Sequence, residues 1–275
     1  MNETEIRTTD TLRGEELLDL AEGRLLAIRV PGYCPEPQSE ILSQRLLNHH
    51  RLFRYSENPN VLGIGMDFWD PCKCGKDEES WLLENPDRLR DRYYEEARPA
   101  ICDMRRALEP YLSPMDKLRL ELQEAWPAGA NLGNVEGRPM FVGVARVFED
   151  GAEAFPHDDK IGRVIPDAPK AQEFLGQLSC NIYLQTSREG GELELWRERL
   201  TSETYGRFHM DDSTYGVRRE ELPPSEALLQ PQVGELILFD ATRLHAVRKV
   251  QGSPRVALSC FVGYRGPESP LEFWS

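Results

Sequence analysis

Several things are missing from this sequence of 275 residues. It has no uninterrupted apolar run of the roughly 18 residues that a membrane-spanning helix needs. Its first residues, MNETEIRTTDTLRGEE, lack the basic-then-apolar order of a secretory signal, so the cytoplasm is the expected location. It is short of cationic charge: 33 Lys and Arg stand against 47 Asp and Glu, a net charge of −14. Duplex nucleic acid is bound through clustered Lys and Arg, so neither nucleic acid nor a membrane is an expected partner. The six cysteines, Cys34, Cys72, Cys74, Cys102, Cys180 and Cys260, are scattered and form no disulfide framework. Cys72-Lys-Cys74 has no second Cys or His pair at zinc-ligand spacing and reads as two loop thiols. Histidine is scarce too, with five in all.

What is present is an ordered change of texture. Residues 1–24 read as polar, helical or loosely ordered, and LLAIRV (25–30) as a short strand before Pro31-Gly32. Helical periodicity runs from Gln38 to His50, with Ile41, Leu42, Leu46 and Leu47 on one side. His49 and His50 close that helix, where histidine suits the negative end of the dipole. A charged amphipathic helix follows from Pro86 to about Leu108. Ser113-Pro114 then opens another, which Trp126-Pro127 ends. After about residue 138 come short runs rich in β-branched and aromatic residues: MFVGVARVF, QLSCNIYLQ, GELELW, ELILF and RVALSCFVGY. Helices first and strands second predict an α+β fold. We expect a single domain over 1–275, with a mostly helical part (1–137) packed on a jelly-roll, cupin-like core (138–265).

The histidines carry the chemistry. His157-Asp158-Asp159 follows a strand and a turn, and His245 comes just after the strand ELILFD. Two imidazoles and a carboxylate make a facial triad, which suits iron(II) and leaves coordination positions open for catalysis. His209-Met210-Asp211 is a second His-x-Asp. It falls after the Gly190-Gly191-Glu192 turn in a polar stretch, and leaves too few strands before His245. His157 and Asp159 are therefore the preferred ligands with His245. Arg255 starts the next strand, where a guanidinium can grip the distal carboxylate of 2-oxoglutarate bidentately. Taken alone, it reads rather as a surface arginine after a Gly-Ser-Pro turn.

Three stretches in order resemble one family. VARVFEDGAEAFPHDD (144–159) resembles the first metal-ligand segment of prolyl-4-hydroxylase-like iron(II)/2-oxoglutarate oxygenases. NIYLQTSREGGELEL (181–195) resembles their tyrosine strand and GGE turn, and VGELILFDATRLHAVRKVQGSPRVALSCFVGY (233–264) their distal histidine and cosubstrate arginine. The likeness covers roughly 140–265; the first part of the chain brings no recognised motif. GGELELW with Arg146 also looks like the small-molecule branch that includes carrier-independent aliphatic halogenases. Those enzymes have a small residue where this chain has Asp159, so the resemblance implies hydroxylation and not halogenation. It implies iron(II), 2-oxoglutarate and dioxygen as cofactor and cosubstrates, and a double-stranded β-helix as the fold. The expected substrate is a free amino acid or similar small polar metabolite, oxidised at an aliphatic C–H with release of succinate and carbon dioxide. The rival readings are a hydroxylase of protein side chains and a non-catalytic cupin-like metal-binding module.

Supporting residues each have two readings. Ser179, Asn181 and Tyr183 share one strand face, either lining the site, where Asn181 and Tyr183 would bind 2-oxoglutarate, or facing solvent. The family resemblance favours Tyr183 in the binding role. Ser259 shares a face with Arg255 and could reach the same carboxylate. Arg146 is either a carboxylate anchor or half of a structural ion pair. Trp196 is either a pocket wall or core. The polar insertion 197–230 is either a lid, with His209, Asp211 and Asp212 near substrate, or a hydrated loop.

Overall fold

The β-branched runs of the C-terminal half sort into two sheets. The computed structural model describes residues 5–55, 58–66, 86–209 and 216–275. The expectations for Cys72, Cys74, Asp211 and Asp212 lie outside these residues. The strands from the first part of the chain are β1 (Ile6–Thr8), β2 (Ala27–Val30), β3 (Phe53–Arg54), β4 (Val61–Ile64) and β5 (Ala130–Leu132). Then come β6 (Val144–Phe148), β7 (Ala154–His157), β8 (Gly176–Gln185), β9 (Leu193–Leu195) and β10 (Ala227–Leu229). The last are β11 (Leu236–Asp240), β12 (His245–Val247), β13 (Arg255–Tyr264) and β14 (Leu271–Trp274).

The large sheet runs β1-β2-β11-β8-β13-β6-β4-β3, with β14 on β13 and β5 on β14; the small sheet runs β10-β9-β12-β7. From β6 to β13 the chain passes back and forth between β11-β8-β13-β6 and the small sheet, where β9 and β10 follow one another, with antiparallel pairing throughout. That interleaving is a double-stranded β-helix, the jelly roll. Gly190 and Gly191 turn the chain between β8 and β9 with φ of +69° and +72°. A Cβ on Gly190 would lie 1.9 Å from the Lys249 carbonyl oxygen, so the turn accepts no side chain there.

The N-terminal part is less helical than expected. β2 pairs with β11 and β4 with β6, so this part lengthens the large sheet at both edges. Ile6–Thr8, read as helical or loose, pairs with β2 in parallel. Short strands of this kind gain their stability from the sheet edge they join, which local periodicity does not show. The helices Glu36–Leu47, Pro86–Leu108 and Pro114–Ala125 form as expected, together with Gly14–Ala21. Leu17, Leu20, Leu42, Leu46, Leu118 and Leu122 enter one core with Leu178, Cys180, Ile182 and Leu184 of β8. Ile41, placed on the apolar side by periodicity, is 38% exposed, while Ser39 and Ser43 are buried in that helix. No helix among the described residues is long and apolar enough to cross a membrane.

The described part of 197–230 is not a hydrated loop. It contains the helix Ser202–Phe208 and packs Tyr205, Phe208 and Leu222 on a small core of Trp196, Leu200, Val217, Leu244 and Ala246. Glu194, which is buried, adds ion pairs to Arg219 (3.1 Å) and Arg248 (2.6 Å).

Candidate metal centre

His157 ends β7 and His245 begins β12, and the register sets them directly opposite one another. Their ring centroids are 4.3 Å apart. Asp159, two residues beyond the strand, brings Oδ2 to 3.9 Å from His157 Nε2 and 3.3 Å from His245 Nε2. One ligand atom from each of the three lies within 4.8 Å of the others.

The backbone decides which nitrogen of each ring faces inward. His157 Nδ1 lies 2.6 Å from the Phe155 carbonyl oxygen, and His245 Nδ1 lies 3.0 Å from that of Arg243. A carbonyl only accepts, so each Nδ1 carries the hydrogen and each Nε2 lone pair is left for a metal. Burial, and then the neighbouring His245, push His157 down to about 4. Burial alone would raise the Asp159 carboxyl. The charge of His157, the hydrogen bond with His245 and the charges of His245 and Arg146 outweigh it and hold Asp159 at about 2. Burial pulls His245 down, but the hydrogen bond that its protonated Nε2 makes to Asp159 wins and its pKa is raised, so a metal ion would take the place of that proton. A neutral imidazole and an ionised carboxylate are the forms that bind a divalent ion.

The facing sheet supplies a second feature. Arg255 is 4% exposed, yet no carboxylate among the described residues lies within ion-pair distance of it. Its Nη2 donates to Tyr183 Oη at 3.2 Å, and its Nε has no hydrogen-bond partner among the described residues. The guanidinium lies over the rings of Tyr183 (4.8 Å) and Phe148 (5.1 Å). Burial pushes the Tyr183 phenol up, and Arg255 partly opposes that. An uncompensated buried charge costs several kcal/mol, and the described residues supply no anion to offset it.

Between these two features runs the polar face of β8 and β13. Ser259 Oγ donates to Asn181 Oδ1 at 2.6 Å, and Asn181 Nδ2 donates to Ser179 Oγ at 3.1 Å. Ser179, Tyr183 and Ser259 are buried, so the solvent-facing alternative does not hold. Phe239 of β11 places its ring 4.9 Å from that of His245, where the two sheets meet. Arg146 on β6 lies opposite Ala257 and near enough to Asp159 to help keep it ionised. Trp196 is core: it is buried, and its indole N–H is spent on the Pro223 carbonyl at 2.8 Å. That spends the polar edge a pocket wall would offer. His209 is not among the three grouped ligands; it bridges to Val217, whose N–H donates to the Pro156 carbonyl beside His157 at 2.8 Å.

A family model described as the 2OG-Fe(II) oxygenase superfamily matches residues 142–263. The L-gamma-glutamyl-L-propargylglycine hydroxylase of Streptantibioticus cattleyicolor is 31% identical over 253 residues, covering 89% of this chain and 87% of that protein. The chain belongs to the 2OG-Fe(II) oxygenase superfamily. The Leucinostatins biosynthesis cluster protein S of Purpureocillium lilacinum is 25% identical over 188 residues, which is 66% of this chain and 71% of that one. Among solved structures, an N-substituted L-amino acid dioxygenase from Burkholderia ambifaria shares the fold, with a TM-score of 0.60 at 17% identity, over 95% of this chain and 91% of that chain. Like other members of the superfamily, this oxygenase works with iron(II), 2-oxoglutarate and dioxygen. The donor set fits that metal, and the buried, acid-free Arg255 fits the anionic cosubstrate.

Two features of the site escaped sequence reading. The carbonyls of Phe155 and Arg243 orient the imidazoles by backbone geometry, which no residue type announces. Asp240 did carry a signal: it is an acid closing the otherwise apolar strand LILF, and it is buried.

Proposed function

We propose that this oxygenase hydroxylates an aliphatic C–H of an amino-acid-like small molecule, free or substituted on nitrogen. His157, Asp159 and His245 would hold the iron, and Arg255 with Tyr183 the distal carboxylate of 2-oxoglutarate. Asn181 and Ser259 would line the cosubstrate's path, and Arg146 would keep Asp159 ionised beside it. The observation that carries this reading is one interior holding both a triad with its Nε2 atoms turned inward and a buried guanidinium without an acid. The amino-acid class draws support from the relative of similar length whose name gives a γ-glutamyl amino acid as its substrate.

When bound, iron with 2-oxoglutarate and dioxygen supplies the oxidising power, yielding succinate and carbon dioxide. The residues of the chain have simpler tasks. The Nδ1 hydrogen bonds keep both imidazoles in one tautomer and one orientation. Arg255 orients the cosubstrate by its far end, and the two sheets exclude water from between them. A single domain over the whole chain goes with this reading, supported by N-terminal strands in the same sheet as β6, β8, β11 and β13. The insertion 197–230 is proposed to border the substrate, supported by the hydrogen bond from Val217 N–H to the Pro156 carbonyl beside His157 (2.8 Å). A cytoplasmic location is proposed with it, on the scatter of the thiols.

The test is a panel of free and γ-glutamyl amino acids with iron(II), 2-oxoglutarate and air, followed by mass spectrometry. We expect a product heavier by one oxygen, with matching succinate. If only peptides or folded proteins were oxidised, the small-molecule reading would fall to the side-chain hydroxylase.

A further inference from the structure

Asp240 closes β11 with a carboxylate that is 3% exposed and carries four hydrogen bonds. Its Oδ1 accepts the Thr242 backbone N–H at 3.0 Å and the Thr242 hydroxyl at 2.6 Å. Its Oδ2 accepts Arg199 Nη2 at 2.7 Å and Arg243 Nε at 3.0 Å. The turn braced in this way presents two carbonyl groups to the triad. The Ala241 carbonyl accepts the Asp159 backbone N–H at 2.8 Å, and the Arg243 carbonyl meets His245 Nδ1 at 3.0 Å.

We infer that Asp240 is a positioning residue for the iron: by bracing the turn 240–243 it aims Asp159 and His245, two of the three ligands, without touching the metal. Arg199 extends the brace to the start of the 197–230 insertion. The inference rests on the proposed triad and adds a residue that aims it. The geometry has a direction. If Thr242 and Arg243 lose their shared acceptor, both carbonyls are free to rotate, and the Nδ1–H bond that sets the His245 tautomer loosens with them. Removing groups that orient ligands in this way weakens metal binding about 10–100-fold.

Glu194 is a matched control. It too is a buried carboxylate between two arginines, Arg219 and Arg248, and the carbonyls that orient the ligands belong to neither. Asp240→Asn and Glu194→Gln should both lower Tm, but they should part in metal binding.

The experiment is an anaerobic titration with cobalt(II), read by its visible absorption, alongside Tm for each variant. Asp240→Asn should bind cobalt(II) about 10–100-fold more weakly than wild type, with a changed band shape. Glu194→Gln should keep both the wild-type affinity and the wild-type spectrum. Thr242→Val and Arg199→Gln remove one bond each from partly exposed positions, and should give several-fold losses if Asp240→Asn does not fold. Wild-type affinity and spectrum in Asp240→Asn, or in both single-bond variants, would overturn the inference. So would an equal affinity loss in Glu194→Gln. A wild type that takes up no cobalt(II), or an Asp159→Ala variant that takes it up unchanged, would point elsewhere: the triad reading itself would have failed.

Discussion

The described residues hold two groups of two histidines and an aspartate close enough to share a metal ion: His157, Asp159 and His245, and His49, His50 and Asp103. By residue type they are identical. Their distances are alike too, since His49 Nε2 lies 3.7 Å and His50 Nε2 4.0 Å from Asp103 Oδ2. The hydrogen bonds are opposite. In the first group each Nδ1 donates to a carbonyl, so in the neutral ring Nε2 keeps its lone pair. In the second, His49 Nδ1 accepts the Arg51 backbone N–H at 3.2 Å, so in the neutral ring the hydrogen sits on Nε2, facing Asp103. Arg51 also places a cation 3.5 Å from the same Asp103 oxygen, and His50 is 71% exposed. A metal ion there would meet an N–H even in the neutral ring of His49, and would compete with a guanidinium. What makes a metal site is the direction of its lone pairs, not the proximity of its residue types.

The largest effect should come from the carboxylates. Asp159→Ala should abolish succinate formation and metal uptake at the first group, while Asp103→Ala should change neither. Metal analysis after reconstitution should find one ion per chain in wild type and in Asp103→Ala. Two ions in wild type, or a lost ion in Asp103→Ala, would break the comparison.

The next effect tests the anion pocket beside the first group. Arg255→Met removes a buried cation with no acid partner among the described residues. Losing one side of a buried charge pair costs about 2–5 kcal/mol, so KM for 2-oxoglutarate should rise at least about thirtyfold. Tm without ligand should hold or rise, because the free protein sheds an uncompensated charge. Arg255→Lys keeps the charge without the planar fork and should fall between the two. A large drop in ligand-free Tm with an unchanged KM would make Arg255 a structural residue.

The sequence shows the contents of the first group better than its construction. His157, Asp159 and His245, which the fold brings together, were legible because a His-x-Asp and a later histidine come in a set order. β7 and β12, which deliver the histidines, are four and three residues long, too short for a periodic signal. The face of Ser179, Asn181 and Tyr183 was ambiguous for a physical reason: alternation looks the same whether the polar side meets water or a closed interior. The helices were legible from caps and periodicity, whereas β1 and β3 exist only because sheet edges receive them. His49 and His50 were placed at a helix end, and Asn48 does cap that helix. Their meeting with Asp103 needs the packing of a second helix, which local sequence does not encode.

The smallest effect concerns the second group and is a matter of slope. His49 has a buried side chain, and burial is the largest cause of its lowered pKa; Asp103 opposes that, and His50 and Arg51 add to it. The unfolded chain has the ordinary value of about 6.5. Well above that pH neither state binds the proton, and the full stability is present. As pH falls below about 6.5 the unfolded chain takes up the proton before the folded one, so stability is lost down through the lowered folded value. His49→Gln removes this loss, so Tm of the metal-free protein should fall less steeply from pH 7 to pH 5 than in wild type. Parallel profiles would show that burial of His49 is not felt. Repeating the scan with added metal sharpens the comparison between the groups. Metal bound at the first group should raise both curves together. If it raised wild type and left His49→Gln behind, the second group would be binding metal, and lone-pair direction would not be the rule that separates them.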